Sequence, residues 1–288
     1  MKLGVIVSPA AGWTYDELRE LAQESERQGI ESFWASDHFF GGEGFPDRDC
    51  LEAWTLLAAL ARDTETIRLG CMVTAAQYRN PALLAKIVAS VDQMSDGRVE
   101  FGIGAGWKVN EYQAYGYSFD DAGTRVDQMT DALEICRRLW TEERATYEGK
   151  HYRIRDAVCA PKPKQKPHVP IWIGAIKPRM MRIAARSADG FDISRHGANG
   201  AALTPTDLAA AIAEIRATCA SIKRERPIML SNWASLELEA DGIASLNETL
   251  AAYAAAGLDR FLFNFPKERA LEMVRRTGDL NPTSGVTH

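Results

Sequence analysis

Short apolar runs alternate with amphipathic stretches along the whole chain. Leu3–Val7 is followed by a helical pattern from Thr14 to Gln28, in which Thr14 reads as the N-cap, Glu17 stands at capping-box spacing and Gly29 reads as the stop. Ser32–Ser36 reads as the next strand and Leu51–Arg62 as the next helix. Ile67–Val73 precedes a helix opening at Asn80-Pro81, where Asn caps and Pro suits the first turn. Val99–Ile103 precedes a helix running from Arg125 to Trp140. The second half repeats the scheme: Pro170–Ile173 then Met180–Ser187, and Gly190–Ser194 then an Ala-rich stretch, Thr206–Lys223. Pro227–Trp233 then precedes Ile243–Ala256, and Arg260–Phe263 precedes Lys267–Arg276. Strands alternating with helices predict a parallel sheet, and eight such units fit an α/β fold closed as a (β/α)8 TIM barrel.

An open doubly wound sheet would compete, but no linker supports a second domain. The Pro/Lys-rich stretch Pro161–Pro167 follows a hairpin pattern in Arg144–Ile154 and reads as an insertion loop. A single barrel domain is expected over residues 1–280, with 281–288 a loose polar tail.

Composition narrows the class without naming a reaction. The 288 residues are 46% hydrophobic and 25% charged, which excludes disordered and fibrous chains. Lys and Arg number 34 against 39 Asp and Glu, a net charge of −5 with no sustained run of one sign. Neither a nucleic-acid nor an anionic-membrane partner is expected. Cys50, Cys71, Cys136, Cys159 and Cys219 are scattered and odd in number, which predicts reduced thiols in a cytoplasmic protein. The histidines show no metal-ligand spacing, so no metal is expected.

In a barrel the chemistry sits where strands end. Asp37-His38 leaves the second strand there, and a carboxylate beside an imidazole can fix its tautomer for proton transfer or for a hydrogen bond to a redox cofactor. Thr74 ends the third strand. Gly104, Gly106 and Trp107 follow the fourth; the glycines admit a flat ring or a close backbone, and the indole could pack on such a ring. Glu111 and Tyr112 read only as the opening of a helix. Gly174 and Ala175, with Lys177 close by, follow the fifth strand, and Ser194 and Arg195 the sixth. Backbone N–H groups, a hydroxyl and cations could together hold a phosphate.

The segments QGIESFWASDHFF, IRLGCMVTAAQYRNPALLAK, DQMSDGRVEFGIGAGWKVNEYQAYG, PHVPIWIGA and AARSADGFDIS occur in one register. Together they resemble the luciferase-like monooxygenase superfamily, and in particular its subgroup that uses the deazaflavin coenzyme F420. The resemblance implies a barrel with insertion loops, a homodimer, and an enzyme moving hydride between C5 of the deazaflavin and a small organic molecule. Asp37 and His38 match the pair held beside the deazaflavin, His38 hydrogen-bonding or exchanging a proton and Asp37 touching the ring edge or orienting His38. A non-prolyl cis peptide is implied at Met72–Val73, backing the ring, with Thr74 beyond it. Gly104, Gly106 and Trp107 match the region facing the ring. Gly174, Ala175 and Ser194 match the loops around the ribityl chain and phosphate, with Lys177 and Arg195 as partners for the acidic tail.

Two departures bear on substrate. Sugar-phosphate dehydrogenases of this fold carry a Trp shortly after the Asp-His pair, where this chain has Phe39-Phe40-Gly41-Gly42, and a Glu where it has Trp107. With Phe39, Phe40, Phe45 and Trp233, these changes favour an apolar or aromatic substrate under a glycine-bearing loop, Gly41–Asp49. The alternatives are an FMN-dependent monooxygenase using reduced flavin and oxygen, and a flavin-binding carrier without catalysis.

Overall fold

The strands of the computed structural model form a closed eight-stranded parallel barrel and a separate two-stranded sheet. The structure describes residues 1–41, 47–175, 177–194, 202–235 and 243–280. The barrel strands are β1 (Lys2–Val7), β2 (Ser32–Ala35), β3 (Arg68–Ala75), β4 (Val99–Gly104), β7 (Ile171–Ala175), β8 (Gly190–Ile193), β9 (Met229–Ser235) and β10 (Arg260–Asn264). All eight expected strands are present. They are buried on both faces, as parallel strands under a layer of helices must be, so they read as apolar runs without alternation. The chain divides into two compact units, one made of residues 1–7, 16–34 and 172–288 and the other of 8–15 and 35–171.

In the first unit β1 pairs with β10, β10 with β9, β9 with β8 and β8 with β7. Helices α1 (Tyr15–Arg27), α6 (Pro178–Ser187), α7 (Pro205–Ser221), α8 (Ile243–Ala256) and α9 (Ala270–Arg276) belong to it. Thr204 caps α7 by accepting from the Asp207 N–H. Arg260 is fully buried, its guanidinium 5.4 Å from the Trp34 ring and 4.8 Å from that of Trp172, and it is paired with Glu31 at 2.8 Å. A charge at that depth is tolerated because aromatic faces and a carboxylate replace its water.

The second unit carries β3, β4 and helices α2 (Ala53–Asp63), α3 (Pro81–Met94), α4 (Val109–Ala114) and α5 (Ala122–Thr141), with β5 (Ala145–Glu148) and β6 (Arg153–Ala157) as an antiparallel hairpin. Asn80 caps α3 as its sequence predicts, accepting from Ala82 and Leu83 ahead of Pro81. The Pro161–Pro167 stretch follows the hairpin and is tied down: buried Asp92 of α3 accepts from the Lys164 and Gln165 N–H groups at 2.7 and 3.1 Å.

The register of β3 against β4 shifts between Cys71 and Thr74, and the Met72–Val73 peptide is cis. The sequence of β4 fits this bulge. A Cβ on Gly102 would stand 2.1 Å from the Cys71 carbonyl, and one on Gly104 would stand 2.5 Å from a Val73 methyl. Both glycines are thus required by the neighbouring strand, whatever else borders them.

Among the described residues no helix is long and apolar enough to cross a membrane, and no group of His, Cys, Asp and Glu could hold a metal ion.

Candidate functional site

The second unit gathers a polar cluster at the C-terminal ends of its strands. His38 leaves β2, and its Nδ1 lies 3.0 Å from Oε2 of Glu111 in the first turn of α4. The same carboxylate accepts from the Tyr78 hydroxyl at 2.7 Å, from Lys108 Nζ at 2.8 Å and from the Phe39 N–H at 3.0 Å. Glu111 is fully buried, yet it is surrounded by donors. Burial pushes its pKa up, but hydrogen bonds from His38 and Lys108, the charge of His38 and the Tyr78 hydrogen bond outweigh that and bring it down to about 2. Tyr78 is shifted the other way: burial and the Glu111 carboxylate hold its hydroxyl protonated.

Asp37 does not orient His38. Its carboxylate is buried and engaged elsewhere, accepting from Arg79 Nη1 and Nη2 at 2.7 and 2.9 Å and from the Ala75 N–H at 3.1 Å. Arg79 also bonds Glu52, the N-cap of α2. Asp37 thus fastens the segment carrying His38 to the last residue of bulged β3. The reason lies in their partners: Asp37 is taken up by Arg79 and the Ala75 N–H, and His38 by Glu111.

Aromatic side chains surround this cluster. The Phe39 ring lies 4.3 Å from the rings of both Tyr78 and Tyr115, and the Lys108 ammonium stands 5.1 Å from the Phe40 ring centre. Phe39 is therefore part of a partly buried aromatic stack within the protein. Trp107 differs. Its indole is 72% exposed and meets the His38 ring edge to face at 5.8 Å.

The remaining expected residues have mixed placements. Met72 is buried and Val73 half-buried at the bulge. Thr74 is buried with its hydroxyl accepting from Trp54 Nε1 at 3.1 Å, which removes it from a surface role. Gly106 has φ +72°, and a Cβ there would meet the Tyr112 hydroxyl, so a protein contact accounts for this glycine. In the first unit Gly174 and Ala175 end β7 and are half-buried. Ser194 turns its hydroxyl onto Asp192 at 2.9 Å, and Ser231 donates to the other oxygen of that buried carboxylate at 2.8 Å. Lys177 is exposed at the N-cap of α6. Arg195 and Phe45 lie outside the described residues, as does most of the Gly41–Asp49 loop.

Glu111, Tyr78, Lys108 and Arg79 were not foreseen. The only trace of Glu111 is an acidic residue next to an aromatic in a short segment, with Lys108 three positions earlier. That spacing reads as a solvent pair on a helix.

A bulged strand, an imidazole held by a buried carboxylate and an exposed indole stand at the strand ends of one unit, and such residues could border a planar cofactor ring. The family model for luciferase-like monooxygenases matches residues 1–272. An F420-dependent glucose-6-phosphate dehydrogenase of Kineococcus radiotolerans is 34% identical over 192 residues, covering 66% of this chain and 56% of that protein. The chain thus spans about half the length of the curated relatives it matches. An F420-dependent secondary alcohol dehydrogenase solved with an F420-acetone adduct has a TM-score of 0.82 at 17% identity over 98% of both chains. The coenzyme F420 dependent tetrahydromethanopterin reductase of Methanopyrus kandleri has a TM-score of 0.77 at 17% identity, over 96% of this chain and 97% of that one. At such identities the likeness concerns the fold.

Proposed function

Since the chain belongs to the luciferase-like monooxygenase family, we propose that it is an oxidoreductase using coenzyme F420, moving hydride between the deazaflavin C5 and a small organic substrate of apolar or aromatic character. One observation carries this reading: His38 stands at the end of β2, held by a buried carboxylate, while its neighbour Asp37 grips the end of the bulged strand. F420, when bound, supplies the hydride chemistry. Met72 and Val73 would back its ring, and Trp107 would flank it. Gly174, Ala175 and Ser194 are assigned by family resemblance to its ribityl and phosphate portion, and Lys177 and Arg195 to its acidic tail. His38 would take or give, at Nε2, the proton that accompanies hydride transfer at a substrate oxygen.

Trp107 supports the substrate class. A large exposed indole beside the imidazole offers apolar area and no charge to a phosphate, unlike the Glu that sugar-phosphate dehydrogenases of this fold carry there. On the same reading the enzyme acts in the cytoplasm as a homodimer, so gel filtration should return twice the mass of the chain.

The test is a paired titration of purified protein with F420 and FMN, followed by tryptophan and cofactor fluorescence. Tight F420 binding with weak FMN binding is expected, and reduced F420 should then be consumed with enones or aldehydes. Preference for FMN with oxygen uptake, or binding of neither, would overturn the proposal.

A further inference from the structure

We propose that Glu111 is a positioning residue that holds the His38 ring with a proton on Nδ1 and so reserves Nε2 for the reacting side. The inference rests on the reading of His38 given above, and it reaches further by fixing which ring nitrogen works.

The argument begins with what the Glu111 carboxylate touches. Lys108 Nζ, the Tyr78 hydroxyl and the Phe39 N–H converge on it at 2.7–3.0 Å, and each of them is a donor. A buried carboxylate so surrounded stays ionised, and an ionised carboxylate only accepts. The contact from His38 Nδ1 at 3.0 Å must therefore be an N–H donating to Oε2. A neutral imidazole then has its lone pair on Nε2, the opposite of the form this ring prefers in water. Among the described residues Nε2 has no hydrogen-bond partner, and the Trp107 ring lies edge-on beside the imidazole.

The same geometry excludes a second role. Glu111 is fully buried and already accepts on both oxygens, so it is not the group that hands a proton to substrate. Its contribution passes through His38: orientation of the ring, choice of tautomer, and an anion that stabilises the imidazolium formed when Nε2 takes a proton. The donors divide the work. Lys108 and the Phe39 N–H hold Oε1, whereas Tyr78 shares Oε2 with His38. Loss of Tyr78 should leave the Nδ1 bond standing, and loss of the Glu111 charge should not.

The deciding experiment needs no cofactor. Protein labelled with 15N-histidine is recorded by long-range 1H–15N correlation, with His38→Ala assigning the signal. In the wild type and in Tyr78→Phe, neutral His38 is expected with Nδ1 protonated and Nε2 bare. In Glu111→Gln the amide can donate to the ring, and the proton is expected to move to Nε2. In turnover with F420, Glu111→Gln should lower kcat by about 100-fold, the scale of a lost acid–base group, while F420 affinity changes little. A wild-type His38 protonated on Nε2, or a Glu111→Gln protein with unchanged tautomer and kcat, would overturn the inference. Should Glu111→Gln not fold, the wild-type and Tyr78→Phe spectra decide. A protein that binds no F420 but carries the Nδ1 proton would sink the cofactor reading and support this one.

Discussion

Replacing Arg79 with Met tests whether Asp37 is held as the site requires. The substitution keeps most of the apolar stem and removes the guanidinium that gives Asp37 two charge-assisted hydrogen bonds, at 2.7 and 2.9 Å. What remains on Asp37 is the Ala75 N–H at 3.1 Å. The Asp37 side chain is fully shielded from solvent and that of Arg79 is 9% exposed, so water cannot replace the lost partner. Stranding one member of such a pair costs about 3–5 kcal/mol. Unfolding entropy of roughly 2.1 cal/mol/K per residue gives about 0.6 kcal/mol/K for this chain, so Tm should fall by about 5–8 °C. Asp37→Asn placed in the Arg79→Met background removes the stranded charge and should recover much of the loss, making the double variant less damaged than the sum of the singles. Circular dichroism melts of the wild type, both single variants and the double variant supply the cycle. A Tm drop below about 2 °C for Arg79→Met, or strictly additive losses, would refute the argument, since a stranded charge must produce both effects.

Two further outcomes follow from other parts of the molecule. Burial raises the Asp192 carboxyl to about 6, against the pull of hydrogen bonds from Ser231 and Ser194. A raised acid contributes stability below its unfolded pKa of 3.8 and loses it as pH rises through about 6, on the order of 3 kcal/mol here; Asp192→Asn should therefore raise Tm at pH 8 and leave it nearly unchanged at pH 4, and an equal gain at both would contradict the assignment. Gly106→Ala should cost about 2–5 kcal/mol, because a positive φ and a collision with the Tyr112 hydroxyl act together, whereas Gly116→Ala, with φ +74° and open space, should cost about 1 kcal/mol; equal losses in denaturant melts would show that the Tyr112 contact is immaterial.

The barrel was legible because its parallel strands are buried and so appear as apolar runs, while several of its helices open at readable caps. Asn80-Pro81 opens a helix as its sequence predicts, and Thr204-Pro205 opens another in the same way. The bulge in β3 was legible only by family resemblance. Nothing in CMVT itself requires a register shift, and the local signal lies in the partner strand, where Gly102 and Gly104 leave room for Cys71 and Val73. A pattern read one strand at a time assigns those glycines to a ligand, when the atoms they avoid belong to the protein.

The candidate site shows the same limit more sharply. Asp37-His38 was visible because two functional residue types follow an apolar run, and adjacency invited a partnership that their buried partners replace. Each residue is instead paired over a long stretch of chain, His38 with Glu111 and Asp37 with Arg79. Those partners are ordinary in sequence: Glu111 looks like a surface acid spaced to pair with Lys108, and Arg79 like a loop cation. What changes their meaning is burial. A carboxylate and a guanidinium with little access to water must satisfy every charge from within the protein. Each therefore gathers donors or acceptors from several loops, Glu111 from the segments around His38, Tyr78 and Lys108, and Arg79 from those around Asp37 and Glu52. The same need that keeps the Glu111 charge satisfied fixes the imidazole against it, so the parts of the site least visible in the sequence are those that determine how its one evident residue can act.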